Sequence, residues 1–419
     1  MVSEAVRPPD DAAAAPQLIV AGARVIDPRH GRDAVLDIGV RDGRIVGIAP
    51  SLPRATATVV RDAAGAIALP GLIDLHTHVY ARATSYGVEP DLIGRRSLAA
   101  TLVDAGSAGA GTYQGLRDFV IGCATTRVLA WLNIAFPGIF AFDERVMFGE
   151  AAQVALLDVQ RCVETAQRHA DTVVGIKVRL GGAVSGEVGL LALDRALQAA
   201  EHVGLPVMCH IGRPPPSYAQ IVDRLRAGDV LTHCMRPAPN APVDEAGRVL
   251  PALRRARARG VLFDIGHGMG SFAFASAEAA LAEGFAPDIV SSDVHALSVA
   301  GPAYDLLHTM NKLLNCGVEL PALVSMVTAA PARAIRSDEL GHLGLGAPAD
   351  LTLLRLAEVP LRFTDATGAE RDGVRLLQPL GLLRAGRWHE PLPRPWELPR
   401  DPRARTDQPG NTPTDGARR

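Results

Sequence analysis

The ten residues "GLIDLHTHVY" (71–80) end an apolar run with two histidines that lie two positions apart, His76 and His78. Side chains alternate between the two faces of a β-strand, so both imidazoles would point to one side and could bind the same metal ion. Asp74 lies on the same face and could orient one ring through a hydrogen bond. Taken alone, the motif also fits a polar strand end with two hydrogen-bonded histidines.

Strand-like runs alternate with helix-like, alanine-rich segments from residue 71 to residue 341. Eight such runs over this length predict the α/β class and a (β/α)8 TIM barrel, whose active site is built at the C-terminal ends of the strands. An open doubly wound sheet is the alternative, but it needs a glycine-rich phosphate loop after the first strand, and "IDLHTHVY" is not one. The predicted strands are 71–78, 101–106, 127–136, 173–180, 206–211, 230–234, 261–266 and 288–294.

Three further potential metal ligands each end a predicted strand of their own. They are His210 in "LPVMCH", His233 in "VLTHC" and Asp293 in "DIVSSDVH". Histidine and carboxylate ligands suit Zn²⁺, and the same donors accept Mn²⁺ or Fe²⁺. Five such residues at matching ends of four strands favour a metal site over five independent core positions.

A lysine interrupts the apolar run "VVGIKVRLGG" (173–182), which otherwise reads as a buried strand. Lysine is almost never fully buried unless its charge is paired. If CO₂ adds to the amine of Lys177, the resulting carbamate offers two oxygen atoms that could bridge two metal ions about 3.5–4 Å apart. The alternative is an ordinary salt-bridged lysine that extends to the barrel rim. The five neighbouring ligands favour the carbamate.

Composition limits the possible partners and compartments. Of the 419 residues, 48% are hydrophobic and 21% are charged, with a net charge of −2, so neither a nucleic-acid nor a membrane partner is indicated and a small-molecule substrate is expected. The first residues do not form a secretory signal, and there is no run of 18 apolar residues. Five single cysteines without a CxxC spacing predict a reducing cytoplasm. A homo-oligomer is compatible with the sequence, which shows no interface.

The residue pattern along the chain predicts five segments. Residues 17–70 and 342–390 consist of short alternating strands and turns, so we expect one small β-sandwich domain built from both ends of the chain. Residues 71–341 form the metal-binding barrel between them. Residues 1–16 and 391–419 are expected to be disordered tails. The second of them is rich in proline, arginine and aspartate.

The order HxH, Lys, His, His, Asp on strands one, four, five, six and eight resembles the binuclear amidohydrolase superfamily. The motifs "LPGLIDLHTH" and "GAPADLTLL" are similar to its dihydroorotase-like members, and "GTYQGLRDFVIG", "GIKVRL" and "FDIGHGMGSF" are similar to a branch labelled deacetylase or dihydroorotase-like. The resemblance covers residues 17–390. It implies a distorted barrel with a small β domain and two divalent metal ions, usually zinc.

The resemblance also implies a role for each ligand position, and none departs from the pattern. His76, His78 and Asp293 would hold the more buried metal ion, His210 and His233 the other, and carbamylated Lys177 would bridge the two. Two metal ions that share a water lower its pKa towards neutrality and supply hydroxide. Asp293 would act as general base and then as general acid in the hydrolysis of an amide or ester.

Several polar residues near the predicted rim could contact the substrate, and an arginine could bind a substrate carboxylate with two hydrogen bonds. We place His267 first among them as a catalytic residue, because "DIGHGMGSF" puts it in a glycine-rich loop above the barrel. The other candidates are Tyr113, Arg117, Arg179, Arg213 and His295.

The sequence therefore predicts a metal-dependent hydrolase of small N-acyl or O-acyl carboxylates, that is, a deacetylase. A cyclic amide hydrolase of the dihydroorotase or hydantoinase type is the alternative, although "HTHVYARATSYG" supplies Arg82 without the nearby asparagine expected of a dihydroorotase. A one-metal deaminase would need a glutamate shortly after His210, and "CHIGRPPP" has none. A non-catalytic barrel scaffold would be expected to lose ligands, and all six are present.

Overall fold

The computed structural model describes residues 15–139, 141, 146 and 148–396. The first five strands of the described residues belong to one sheet, in which β1 pairs antiparallel with β2 and parallel with β4 and β5. Asp42 and Gly43 join β2 to β3 with φ angles of 49° and 72°, the left-handed conformation of a tight hairpin turn. The strands are β1 Leu18–Asp27, β2 Arg32–Arg41, β3 Arg44–Ala49, β4 Val59–Asp62 and β5 Ile67–Pro70.

Seven parallel strands follow and form one sheet in the order of the chain, as predicted for the barrel. Their side chains are almost all buried, which explains the continuous apolar runs, because helices cover the outer face of a parallel sheet. The strands are β6 Leu72–Thr77, β7 Ala99–Gly109, β8 Arg127–Asn133, β9 Val173–Leu180, β10 Val207–Ile211, β11 Val230–Thr232 and β12 Leu262–Asp264.

The eighth predicted strand, 288–294, is not a regular strand. Only two isolated parallel bridges, Asp264 with Ile289 and Thr77 with Val294, join this segment to β12 and β6. The backbone N–H of Ser292 donates to Oδ1 of Asp74 at 2.9 Å instead of to a neighbouring strand. Asp293 adopts a φ of 47°, which interrupts the extended conformation. The ring is therefore closed by an irregular segment, which makes the barrel a distorted one.

Ten helices accompany the barrel strands within the described residues. α2 continues into a π-helical turn at Arg117–Ile121, and three short 3-10 turns lie at Pro28–His30, Arg54–Thr56 and Val154–Leu156. No helix in the described part of the chain has the length and apolar character needed to cross a membrane. The helices are α1 Pro90–Ser97, α2 Tyr113–Leu116, α3 Val159–Arg168, α4 Leu190–Val203, α5 Tyr218–Val222, α6 Pro251–Ala258, α7 Phe274–Ala282, α8 Leu306–Asn315, α9 Leu320–Val327 and α10 Ala329–Ala334.

The last strands return to the sheet made by the first ones. β13 (Leu351–Thr364), β14 (Glu370–Arg384) and β15 (Arg387–His389) extend the small domain in the order β15-β14-β13-β5-β1-β2-β3, with β4 paired to β1. The small domain is thus one eight-stranded mixed sheet from both ends of the chain. The far end of the β13–β14 hairpin reaches the barrel, where Asp365 Oδ2 accepts a hydrogen bond from the backbone N–H of Phe274 at 2.8 Å.

The chain after residue 390 is still packed against the barrel at its start. The Arg394 side chain is fully buried, and its Nε lies 3.3 Å from Oδ2 of Asp305. A buried guanidinium paired with a carboxylate is a fixed contact and differs from the disorder expected from the composition. The rest of the predicted tail, residues 397–419, and residues 1–14 at the other end lie outside the described residues.

Candidate metal centre and active site

Three of the predicted ligands converge at the C-terminal end of the first barrel strand. The Nε2 atoms of His76 and His78 each lie 3.2 Å from Oδ1 of Asp293. All three side chains are buried, and their ligand atoms lie within 4.8 Å of one another. The three side chains therefore form a candidate site for one metal ion.

A chain of hydrogen bonds fixes the protonation of His76. The hydroxyl of Thr232 lies 2.7 Å from Oδ2 of the buried Asp264 and 2.8 Å from Nδ1 of His76. Because the hydroxyl donates to the carboxylate, its oxygen accepts from Nδ1–H. The lone pair of His76 is then on Nε2, which faces Asp293. Burial also lowers the pKa of His76 well below its usual value, so the ring is neutral.

His78 and His233 are oriented in the same way. Nδ1 of His78 lies 2.9 Å from Oγ of Ser107, and both the hydroxyl and the backbone N–H of Ser107 donate to the buried Asp104. Nδ1 of His233 donates to the carbonyl oxygen of Gly266 at 2.6 Å. Such outer hydrogen bonds are the usual way in which proteins fix the tautomer of a metal-binding histidine. In both rings Nε2 is left as the acceptor.

The donor set at Asp293 fits a cation. Oδ1 of Asp293 is buried, and no hydrogen-bond donor among the described residues contacts it. A buried carboxylate oxygen without a partner is costly, and the two nitrogen atoms nearest to it carry lone pairs rather than protons. A divalent ion bound by these three atoms would satisfy all of them. The geometry therefore agrees with a metal site.

A second pair of predicted ligands lies beside the first three. Nδ1 of His210, from β10, is 2.7 Å from Nε2 of His233, which directly follows β11. His210 is the only predicted ligand that is partly exposed, because it borders a cavity. Two imidazoles whose nitrogens face each other could hold a second cation. The rings of His76 and His233 are 5.2 Å apart, so the two groups of ligands form one cluster.

Lys177 lies inside this cluster and is fully buried. Its Nζ is 3.4 Å from Nε2 of His76, and no carboxylate of the described residues lies within 4.0 Å of it. The alternative of a salt-bridged lysine that extends to the rim therefore has no support in this structure. Burial lowers the pKa of Lys177 to about 8, which increases the fraction of neutral amine.

The backbone is shaped around these side chains. His233 and Asp293 adopt φ angles of 71° and 47°, a conformation that non-glycine residues occupy at a cost of about 1–2 kcal/mol. Gly106 makes room for Lys177, since a Cβ atom at Gly106 would come within 2.6 Å of the lysine Cγ. A Cβ atom at Gly268 would come within 2.2 Å of Oδ2 of Asp293. Strained ligands and glycines at such positions are typical of functional sites.

Other candidates from the sequence have different roles in the structure. Asp74 was predicted to orient an imidazole ring, but its oxygens instead accept hydrogen bonds from the backbone N–H and the hydroxyl of Ser292. Asp74 therefore holds the segment that carries Asp293. Tyr113 and Arg117 bond to the hydroxyl of Thr172, which precedes β9. Both side chains are therefore engaged next to the start of β9 and not at its C-terminal end.

His267 lies in the glycine-rich loop after β12, as the sequence predicts, but its side chain is fully buried. Its Nδ1 donates to the carbonyl oxygen of Gly268 at 2.9 Å, and its Nε2 accepts from Nζ of Lys312 at 2.7 Å. The ring stacks on Phe272 with 4.8 Å between centroids. Both nitrogens are thus engaged by the protein, so the structure gives His267 the environment of a positioning residue. Its catalytic role remains a prediction.

A cavity of about 410 Å³ opens beside His210. Arg179 lines it and is almost fully buried, with Nε 2.9 Å from Oε1 of Glu150. Tyr86, also in the wall, stacks on His295 with 4.1 Å between ring centroids. Of the site candidates named from the sequence, this cavity brings together Arg179, His210 and Arg213, and its position next to a predicted ligand makes it the candidate substrate site.

Sequence reasoning missed the residues that orient the ligands. They are polar side chains on or next to β7, β11, β12 and the closing segment. One signal could have identified two of them: Asp104 and Asp264 are carboxylates inside apolar strands, and a buried carboxylate needs a partner. The missed residues are Asp104, Ser107, Thr232, Asp264 and Ser292.

Comparison with known proteins identifies the family. Residues 67–376 match the amidohydrolase family. The chain is an amidohydrolase. This amidohydrolase is 33% identical to a deacetylase of Agrobacterium fabrum over 81% of this chain and 82% of that protein. Among solved structures, one described as an adenine deaminase has a TM-score of 0.83 at 30% identity and covers 90% of this chain and 100% of that one.

A further solved structure, described as a dihydroorotase, has a TM-score of 0.82 at 31% identity and covers 90% of this chain and 99% of that one. The three names describe different reactions of one superfamily. Because the chain belongs to the amidohydrolase family, it has the fold of these hydrolases and is an enzyme. Which reaction it catalyses depends on the residues of its own site.

Proposed function

We propose that this amidohydrolase removes an acetyl or similar acyl group from a small N-acyl or O-acyl carboxylate. The observation that carries the proposal is the convergence of two imidazole lone pairs on the unpartnered Oδ1 of Asp293, beside a buried lysine without a carboxylate partner. The likeness to a deacetylase over most of both chains supports this choice of reaction.

The proposed cofactors are two divalent metal ions, most simply zinc, because the ligands are imidazoles and a carboxylate. His76, His78 and Asp293 would hold the more buried ion, and His210 and His233 the other. We further propose that Lys177 carries a CO₂-derived carbamate, whose two oxygen atoms would serve as ligands for both ions. When bound, two such ions would supply Lewis-acid chemistry that activates a water molecule and a carbonyl group.

The protein residues would then transfer the proton. The Asp293 carboxylate accepts the proton of the attacking water and returns it to the departing nitrogen or oxygen when the acyl bond breaks. Asp74 keeps Asp293 in place through Ser292, while Thr232 and Ser107 keep the histidine lone pairs directed inward. These residues fix the geometry before the substrate arrives, so little reorganisation is needed during the reaction.

Two related reactions remain as alternatives. Hydrolysis of a cyclic amide is supported by the likeness to a dihydroorotase. However, Arg82, the arginine that follows the first metal-ligand pair, is 89% exposed and paired with Glu89, outside the cluster. Deamination is suggested by the likeness to an adenine deaminase. A one-metal deaminase has no use for Lys177 and His233, and both lie inside the cluster.

We also propose a cellular compartment and a class of binding partner for this amidohydrolase. None of the five cysteines forms a disulfide, which suits a reducing compartment such as the cytoplasm. The only partner that the site requires is a small molecule, and a homo-oligomer is compatible with it. A nucleic-acid or membrane partner is not proposed, given the net charge of −2.

A turnover screen of the zinc-loaded protein tests the proposed function. The substrates are N-acetyl amino acids, O-acetyl hydroxy acids, dihydroorotate, hydantoins and adenine, each at equal concentration. Cleavage of open-chain acyl compounds at the highest kcat/KM supports the proposal. Cleavage of cyclic amides alone, or release of ammonia from adenine alone, would overturn it. A protein that holds no metal and turns over none of them would be a scaffold.

A further inference from the structure

The cavity beside His210 is lined by an arginine whose charge is not balanced by any of the described residues. Arg213 is exposed and lines the cavity three residues after His210. Arg179, the other cation in the wall, has its charge offset by Glu150 at 2.9 Å. No ion pair within the described part of the chain includes Arg213, and no carboxylate of the described residues lines the cavity.

The backbone of Arg213 is held in place although its side chain is exposed. Its carbonyl oxygen accepts a hydrogen bond from the N–H of Gly182 at 2.9 Å, and the N–H of Gly212 donates to Leu180 at 2.8 Å. These bonds join the loops that follow β9 and β10. Glycine is needed for this approach, because a Cβ atom at Gly181 would come within 2.9 Å of the Gly212 Cα atom. The Arg213 side chain therefore extends from a backbone that hydrogen bonds hold in place.

We propose that Arg213 binds the free α-carboxylate of the substrate. This inference rests on the proposed function and names the substrate feature that the site selects. In an N-acyl amino acid a single carbon atom separates the carboxylate from the scissile amide nitrogen, so the residue that binds the carboxylate must lie next to the metal ligands. Arg213 meets this condition through the cavity wall that it shares with His210. A guanidinium binds a carboxylate with two charge-assisted hydrogen bonds.

Arg179 shares the same wall, but its charge is offset by Glu150. Two further arginines, Arg82 and Arg236, do not line the cavity. Arg82 pairs with Glu89 at 3.2 Å and borders a separate cavity of about 520 Å³ that contains none of the six predicted ligands. Arg236 is buried and hydrogen-bonds to the backbone carbonyl of Pro239. Its charge adds to the positive field around His210 without lining the cavity. Arg82 therefore provides a matched control.

Binding is measured first, because it does not depend on turnover. Zinc-loaded Asp293→Asn protein is titrated by calorimetry with N-acetyl-leucine and with its neutral carboxamide, N-acetyl-leucinamide. We expect the acid to bind about tenfold tighter or more, as for a charge-assisted pair. Adding Arg213→Gln should remove this preference, Arg213→Lys should restore part of it, and Arg82→Gln should leave it unchanged. Equal binding of acid and amide, or a preference that survives Arg213→Gln, would overturn the inference.

Kinetics with the native Asp293 then separates this inference from the proposed function. Arg213→Gln should raise KM for N-acetyl-leucine by about tenfold or more while kcat changes little, and Arg82→Gln should leave both unchanged. A protein that binds the acid through Arg213 without cleaving any acyl substrate would contradict the proposed function and leave the carboxylate site intact. A loss of kcat alone in Arg213→Gln would contradict the carboxylate site.

Discussion

Nε2 of His76 lies 3.2 Å from Oδ1 of Asp293, and this contact joins the first strand of the barrel to the segment that closes it. The two residues are 217 positions apart in the chain, so the contact exists only when the whole barrel has formed. Nε2 is the acceptor nitrogen of His76 in this arrangement, because Nδ1 donates to Thr232. The metal centre and the closure of the barrel are therefore one structural feature.

Asp293→Asn should retain metal and lose most of its turnover. The amide oxygen can still face His76 and His78, but the side chain can no longer accept a proton, and general base catalysis is worth about 10²–10⁴-fold. Metal content and kcat are measured on the same preparation. Turnover near that of the wild type would contradict the role of Asp293, and loss of the metal would show that the carboxylate charge is needed for binding.

Lys177→Ala should lose activity, and a short carboxylic acid such as propionate, added with zinc, should restore part of it. The added acid would supply the two oxygen atoms that the carbamate provides. ¹³C NMR of wild-type protein loaded with zinc and ¹³C-bicarbonate should show a carbamate carbon that Lys177→Ala lacks. Unchanged activity in the variant, or no difference between the two spectra, would leave Lys177 an ordinary buried lysine.

Thr232→Val should weaken zinc binding by about 10–100-fold, the usual effect of removing a partner of a metal-binding histidine. The substitution removes the hydroxyl that links His76 to Asp264 through two hydrogen bonds, and it preserves the shape of the side chain. Thr232→Ser keeps the hydroxyl and serves as the control. Zinc affinity is measured by competition with a chelator. Equal losses in both variants would indicate a packing effect, and no loss in either would contradict the role of the hydroxyl.

The stability of the protein should depend on pH through Lys312. Burial lowers the pKa of Lys312 from 10.5 to about 7, so between these values the unfolded chain binds a proton that the folded chain has released. The free energy of unfolding must then rise with pH. Relative to Lys312→Met, the wild type should gain about 1.4 kcal/mol per pH unit between about pH 7 and 10. Urea unfolding at fixed zinc concentration measures the difference, and a difference independent of pH would contradict the lowered pKa of Lys312.

Much of the fold and of the metal site can be predicted from sequence, because both depend on local patterns. The apolar runs that end in His76, His210 and His233 predict both the strands and the ligands at their ends. The closing segment could not be predicted, since its conformation depends on the hydrogen bond from Ser292 to Asp74, which lies 218 residues away. The burial of His267 could not be predicted for the same reason, because Lys312, its partner, comes from a distant helix.

The orienting residues show the same limit. Thr232, Ser107 and Asp264 are ordinary residue types whose meaning depends on which atoms the barrel brings to them. The spacing of two histidines on one strand identifies a candidate ligand pair. A hydroxyl between a carboxylate and an imidazole can be identified only in three dimensions.

The zinc content of wild-type and Lys177→Ala protein, measured side by side after loading in bicarbonate buffer, tests the central claim most directly. A centre in which carbamylated Lys177 bridges two ions predicts about two zinc ions per wild-type chain and fewer than about one in the variant. One zinc ion per chain in both proteins, or none in the wild type, would contradict the two-metal centre.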